Sequence, residues 1–453
     1  MSSMTEIETN LKDTYLADDR PWIIGFSGGK DSSLLVQLTL KMLQGLPEGQ
    51  RDKEVHIISS NTLVESPLMT ERLLEIHREI RAFVTSKALP VRVELLRPSL
   101  QDTFWVNLIG RGYPSPNRWF RWCTDRLKIK PATKYITDQV RENGEVVILL
   151  GARKSESASR SQTMGEYAIP GMKMRRHNTL VGAFVYTPLE DMDTKEVWSL
   201  LFKNPPPWGG NNRELLRFYK KADKELPLVI DTTTPASGGS RFGCWVCTVV
   251  DKDRALEGLI EDGEEWQKPL LEFRNWLKDI RDDPDAREDT RKARKKKKAH
   301  AIKNGKTYDA ETHRGHKVLG PFTMETRRQI LTRLLKVQEE VGQERCRLIS
   351  PEELAAIQTL WVYEGESPRA VKKIIGKSFD HRSDALSPIS PEVDEVGFLE
   401  QLCKREEIPL QLIDRLLAVE SDLSGLSRRR DLYSRLERVL DEHIVAEMTS
   451  GGR

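Results

Sequence analysis

The chain has 453 residues, 38% of them apolar and 31% charged, enough for two or three domains with a sizeable core. No apolar run approaches the roughly 18 residues of a membrane helix. The polar start "MSSMTEIETNLKDTYLADDR" lacks the apolar core of a secretion signal, so a cytoplasmic protein with no membrane partner is expected. A net charge of +3 is too small to name a partner, and five cysteines without an export signal argue against a disulfide framework.

In chain order, "WIIGF", "EVHIISSN", "VRVELL" and "EVVILLGAR" read as strands, separated by helical stretches such as "ESPLMTERLLEIHREIRAFVTSKAL". This alternation predicts an α/β fold, a parallel sheet with flanking helices, followed by a mainly helical C-terminal region. Three regions are expected: an α/β core over 1–250, helical segments with a basic flexible arm (about 285–318) over 251–349, and a helical region over 350–453. The arm carries "RKARKKKK", Arg291 to Lys298, and has no apolar anchors. The helix from "SPEELAAIQTLWVYEG" is predicted to start at a capping box of Ser350 and Glu353, and the polar interval "GKSFDHRSDALSPISPEVDE" separates it from a helical tail.

Ligands of such sheets bind beyond the carboxyl ends of the strands, where strand runs into helix. After the first strand comes "SGGKDS", and the following helix is expected to lay Leu34, Leu35, Leu38 and Met42 on one face against the sheet. Ser27, Gly28 and Gly29 then sit where backbone amides point at an anion, with Lys30 adding charge and Ser32 a hydroxyl. The spacing differs from G-x-x-x-x-G-K-[ST], so this is not the usual NTPase loop. "SGGKDS" resembles the pyrophosphate loop of the adenine nucleotide alpha-hydrolase superfamily, which includes the ATP pyrophosphatases and the sulfonucleotide reductases.

After the fourth strand, "LGARKSESASR" offers Arg153 and Arg160, two planar donors suited to phosphate, behind Gly151. It resembles the G-x-R-x-x-E-S pattern of the reductase branch. Further on, "RFGCWVCTVVDKDR" holds Cys244-x-x-Cys247, and "NRWFRWCTDRLKIKP" holds Cys123 beside Arg118, Arg121, Arg126 and Lys128. A zinc ribbon needs a second C-x-x-C pair, which the sequence lacks. A cluster on three cysteines fits better, with a redox pair or buried thiols as the alternatives.

Taken together, "FSGGKDSS", "NTLVESP", "FWVNLIGRGYPSPNRWFRWCTDRLKIKP", "GARKSESASR", "TPLEDMDTKEVW" and "GCWVCTVVDKD" are similar, in this order, to the DndC family of DNA phosphorothioation systems. The resemblance implies an ATP pyrophosphatase and sulfurtransferase with ATP, Mg²⁺ and a [4Fe-4S] cluster. Its implied partners are DNA, a cysteine desulfurase and further phosphorothioation subunits of the DNA-dependent ATPase type. It places Ser27, Gly28, Gly29, Lys30, Asp31, Ser32, Gly151 and Arg153 around ATP, Lys30, Asp31, Arg153 and Arg160 in catalysis, and Cys123, Cys244 and Cys247 on the cluster. No cysteine closely follows Cys247, so either Cys346 or Cys403 completes the set or one iron stays open. A sulfonucleotide reductase needs a nucleophilic cysteine in its C-terminal tail, and "DEHIVAEMTSGGR" has none. A tRNA thiolation enzyme and an ATP-responsive DNA-binding subunit with a structural cluster are the remaining readings.

Overall fold

The computed structural model describes residues 4–156, 169, 173–216, 243–289 and 319–376, and in the tail 403, 408–409, 412–413, 415–416 and 436–442. It divides into two units, Met1–Ser383 and Asp384–Arg453. In the second unit the residues described at 403, 412–413, 415–416 and 436–442 are helical.

The first unit is built on a six-stranded sheet in the order β3-β2-β1-β4-β6-β5. Its strands are β1 (Trp22–Gly25), β2 (Val55–Ser60), β3 (Val91–Leu96), β4 (Val146–Leu149), β5 (Met174–Arg176) and β6 (Ala183–Tyr186). Neighbours run parallel except β5, which pairs antiparallel with β6 at the edge. The four strands read from the sequence are all present, though the fourth stops at Leu149 and leaves Gly151 to Arg153 in the loop beyond it. β5, only three residues long with two arginines, lacks an apolar run, whereas β6 (AFVY) is an apolar run not among the strands expected from the sequence.

Period-two alternation sends side chains to both faces, and both faces are covered. Trp22, Ile24, Val55, Ile57, Val147 and Leu149 enter one core, while Ile23, Ile58, Val146 and Ile148 enter the other. On the first face lies α2 (Lys30–Gly45), overlaid in turn by α1 (Met4–Leu16) and by α5 (Thr194–Lys203); α3 spans Pro67–Ser86 and α4 spans Lys130–Asn143. The one-faced burial expected of α2 is therefore corrected: every residue from Lys30 to Leu40 is buried, and Met42 only partly so. Helices on its outer side remove the solvent face.

Beyond β3, the turns through Trp105 and Val106–Gly110 form a platform for the helices that follow the sheet. These are α6 (Arg254–Glu261), α7 (Lys268–Arg281), α8 (Met324–Val341), α9 (Pro351–Tyr363) and α10 (Ala370–Ile375). Trp105 Nε1 donates to Leu348 O at 2.6 Å and Trp361 Nε1 to Ile109 O at 3.0 Å. The capping box forms as predicted: Glu353 N donates to Ser350 Oγ, and Ser350 N to the Glu353 carboxylate. Most of the basic arm, including Arg291 to Lys298, lies outside the described residues.

Candidate functional site

The chain leaves β1 first toward β2 and β3 on one side and later returns to β4 on the other, so the loops after β1 and β4 part at their carboxyl ends. Such a switch point is where open α/β sheets bind ligands. "SGGKDS" occupies the loop after β1, and "GAR" the loop after β4.

Gly28 sits at φ +72°, a left-handed conformation that favours glycine, and turns the chain into α2. Gly29 is the N-cap and offers no side chain to the first amides of α2. The loop is braced from within: Ser27 N donates to Ser32 Oγ at 3.2 Å, and the Ser32 hydroxyl donates to Gly29 O at 3.1 Å. Gly151 presses against this turn, and a Cβ on it would stand 2.8 Å from the Asp31 carbonyl carbon and 3.0 Å from Ser32 N. The two loops thus form one surface.

Lys30 and Arg153, expected to project toward a phosphate, are instead buried and gathered on Asp31. Lys30 Nζ lies 2.9 Å from Asp31 Oδ2 and Arg153 Nε lies 2.6 Å from Oδ1. Arg153 Nη1 also donates to Thr194 Oγ1 at 3.2 Å and to Met192 O at 3.4 Å, which ties it to the segment before α5. One carboxylate between two fixed cations leaves a net positive site at a helix N-terminus, a suitable environment for a polyphosphate. Arg160 lies outside the described residues.

A relay under the loop was not legible in the sequence. Phe26 O accepts from Ser59 Oγ at 2.6 Å, and Ser59 Oγ lies 2.7 Å from His77 Nε2. Since the Ser59 proton goes to Phe26 O, His77 carries its proton on Nε2. Burial pushes the His77 pKa down to about 4, and Arg81 adds to the effect.

The cysteines gather beside the loop after β2. Glu65 and Cys244 form an isolated antiparallel bridge, Trp245 N donates to Val64 O at 3.0 Å, and the Cys244 thiol meets Thr62 Oγ1 at 3.4 Å. Burial, then the charges of Cys244 and Cys247, push the Cys123 thiol up to about 12. Burial likewise pushes Cys244 up to about 12, against the pull of Lys128. Lys128 Nζ lies 3.3 Å from Glu65 Oε1; despite burial, that carboxylate, together with Cys244 and Cys123, holds its pKa above the ordinary value.

Cys123, Cys244 and Cys247 thus sense one another with a lysine counter-charge at hand. Among the described residues no three His, Cys, Asp or Glu side chains are placed to hold a single metal ion. The donor set suits a polynuclear cluster, whose iron charge would ionise thiols that protein alone keeps protonated. Burial raises the Cys346 thiol to about 11 against the pull of Arg345; Cys403 belongs to the second unit.

The loop after Cys247 is clamped by α7. Arg274 is fully buried and donates to Cys247 O at 2.8 Å, to Asp251 O at 2.9 Å and to Val250 O. Arg281 Nη1 donates to Thr248 O at 2.8 Å. A signal for Arg274 was available: it falls among Leu270, Phe273 and Leu277 on the buried stripe of an amphipathic helix.

The loops after β1 and β4 thus meet at the switch point of a mostly parallel α/β sheet, and the Cys244 segment pairs with the loop after β2 at the same carboxyl edge. Residues 21–249 match the model of the phosphoadenosine phosphosulfate reductase domain, and the chain belongs to that family. A curated relative, an uncharacterized protein of Methanocaldococcus jannaschii, is 24% identical over 268 residues, 58% of this chain. That match covers 44% of the relative, less than half its length. Among solved structures, the phosphoadenylyl-sulfate reductase of Candida auris is 15% identical, covering 48% of this chain and 92% of that one, with a TM-score of 0.29. The U34-tRNA thiolase NcsA of Methanococcus maripaludis, solved with its [4Fe-4S] cluster, is 13% identical, covering 62% and 80%, also with a TM-score of 0.29. No helix among the described residues is long and apolar enough to cross a membrane.

Proposed function

We propose that this protein is an ATP-dependent sulfurtransferase that acts on the DNA backbone, installing a phosphorothioate. The observation that carries the reading is the pairing of two groups at one sheet edge: the uncapped α2 N-terminus with Lys30, Asp31 and Arg153, and the mutually coupled Cys123, Cys244 and Cys247. The order of motifs that resembles the DndC family adds the acceptor.

A diester phosphate is a poor electrophile because none of its nonbridging oxygens is a leaving group. In the proposed reaction a nonbridging oxygen attacks the α-phosphorus of ATP and expels pyrophosphate, leaving AMP on that oxygen. Hydrosulfide then attacks the DNA phosphorus, the P–O bond to AMP breaks, and the new sulfhydryl loses its proton to give the phosphorothioate, with AMP released. The α2 amides, Gly28 and Gly29 seat the departing pyrophosphate, while Lys30 and Arg153 exchange part of their contact with Asp31 for the charge that develops there. When bound, an iron–sulfur cluster would supply the sulfur; Cys123, Cys244 and Cys247 would hold it, and Lys128 would balance thiolate charge. A cysteine desulfurase is the proposed source of sulfur, its persulfide reduced to hydrosulfide by two thiols that leave as a disulfide, and a DNA-dependent ATPase is the proposed partner in target handling.

The test is pyrophosphate release from ATP in the presence of DNA and sulfide. Lys30→Ala is expected to abolish release while the iron–sulfur absorption persists. Undiminished release in that variant overturns the nucleotide assignment, and release stimulated by tRNA and not by DNA overturns the acceptor.

A further inference from the structure

Between Tyr113 and Cys123 the chain makes an exposed tip, "NRWF", whose conformation is fixed from inside. Trp119 N and Phe120 N both donate to Asn117 Oδ1 at 2.8 Å, and Asn117 and Phe120 exchange backbone hydrogen bonds at 3.3 Å. Phe120 leans on Tyr113, ring centroids 6.3 Å apart. Trp119, by contrast, is 91% exposed, and no ring among the described residues packs on it. Arg118 beside it is also exposed. An indole held out on a rigid turn exposes an apolar face to water unless something stacks on it.

The tip borders an open cleft of about 400 Å³ lined by Asn117, Arg118, Trp119, Thr248, Asp251 and Arg281, among others. Thr248 directly follows Cys247, and the tip itself runs into Cys123 through the single turn Trp122–Thr124. The cleft is of mixed charge. Asp251 is paired with Lys278 at 2.9 Å and Arg281 with Asp282 at 2.7 Å, so a phosphate has little to gain inside it. A base edge, with both donors and acceptors, has partners there.

We infer that the Asn117–Phe120 tip is a docking site for single-stranded DNA, with one unpaired base stacked on Trp119, its edge in the cleft toward Asp251 and Arg281, and a neighbouring phosphate on Arg118. Stacking on an exposed ring requires a base already out of the duplex, which selects single strands. The site lies next to two of the segments that carry the cysteines, so a docked strand passes beside them. The inference takes DNA as acceptor from the function proposed above; the docking itself does not depend on the ATP chemistry.

The test is anisotropy of labelled oligonucleotides with the full chain and no ATP: a single-stranded DNA, its duplex and the matching RNA. Trp119→Ala is expected to weaken single-stranded DNA binding about ten-fold or more, Trp119→Phe to retain most of it, and the duplex to bind more weakly than the single strand. Arg118→Ala is expected to lower the slope of log affinity against log salt by about one. Unchanged affinity in Trp119→Ala, a preference for duplex or for RNA, or no binding by the wild type overturns the inference. Trp119 is so exposed that its loss should leave the melting temperature unchanged, which separates lost binding from lost folding. DNA-dependent pyrophosphate release that survives in Trp119→Ala with unaltered binding would sink the docking site and leave the proposed reaction standing. Trp119-dependent binding with no pyrophosphate release under any condition would do the reverse.

Discussion

Arg153 Nε stands 2.6 Å from Asp31 Oδ1, so the guanidinium of the loop after β4 closes directly on the first turn of the helix after β1. The contact joins the two halves of the sheet across the switch point, and Thr194 and Met192 hold the rest of the guanidinium in place. Arg153→Ala leaves Asp31 with Lys30 and removes a buried partner, a change that costs about 3 kcal/mol or more. Arg153→Lys keeps the charge but not the fork that spans Asp31 and Thr194. Both are expected to lower the melting temperature and to weaken ATP binding in calorimetry. Wild-type binding in Arg153→Lys would show that charge alone matters there.

Gly151 is fixed by closeness and not by backbone angle. A methyl group there would stand 2.8 Å from the Asp31 carbonyl carbon, and both contacts are backbone atoms that cannot swing away. Gly151→Ala is expected to push the two loops apart, costing about 1–3 kcal/mol. ATP affinity should drop at least as clearly as stability, since the same turn presents the α2 amides. A variant with normal affinity and melting temperature would show that the loops are not coupled.

Arg274 is expected to set the cysteine loop. Arg274→Met keeps the packing stem and removes the donors to the Cys247, Val250 and Asp251 carbonyls. Asp251 is exposed and its carbonyl keeps its bond from Lys278 Nζ, whereas loss of the donor to Cys247 O costs about 1–3 kcal/mol if that carbonyl is left unpaired. Iron bound per chain after anaerobic reconstitution should fall, and Cys247 should alkylate faster in the metal-free protein. Unchanged iron content together with unchanged alkylation would remove Arg274 from this role.

The sequence exposed those parts of the site that local chemistry dictates. "SGGKDS" and "GAR" follow apolar strands, so their place at the carboxyl edge is legible from the residues alone. What α2 packs against was not legible, because the helices that bury its outer face come from Met4–Leu16 and Thr194–Lys203, far apart in sequence. The same holds for the cations: Lys30 looks like a free phosphate donor until Arg153 and Asp31 are seen in contact. The Ser59–His77 relay joins two residues whose types carry no motif, and only the register of β2 with β1 brings Ser59 under Phe26 O.

The charge that bears on Cys346 is that of Arg345 and not of Cys123, Cys244 or Cys247, which predicts that Cys346 is dispensable for metal. Cys346→Ser and Cys403→Ser should each reconstitute with the same iron content and visible spectrum as the wild type, whereas Cys123→Ser, Cys244→Ser and Cys247→Ser should not. Loss of the cluster in Cys346→Ser or Cys403→Ser would identify that residue as a fourth ligand and sink the open-iron reading.

His77 makes the base of the loop after β1 sensitive to acid. Its Nε2 proton is committed to Ser59, and its Nδ1 has no hydrogen-bond partner among the described residues, so a second proton would create an unpaired buried charge. The folded pKa of about 4 lies below the ordinary 6.5, so between these values the unfolded chain binds more protons than the folded one. The stability His77 contributes is therefore full above about pH 6.5 and falls as pH drops toward 4, by up to about 3 kcal/mol. The buried charge would loosen the packing beneath the loop over the same range, and ATP affinity should fall with stability. Melting temperature and calorimetric affinity measured from pH 7.5 to 4.5 test this, with His77→Gln as the comparison. The amide can donate to Ser59 without titrating, so its profile should be flatter. Parallel profiles for the two proteins would assign the acid sensitivity to other groups.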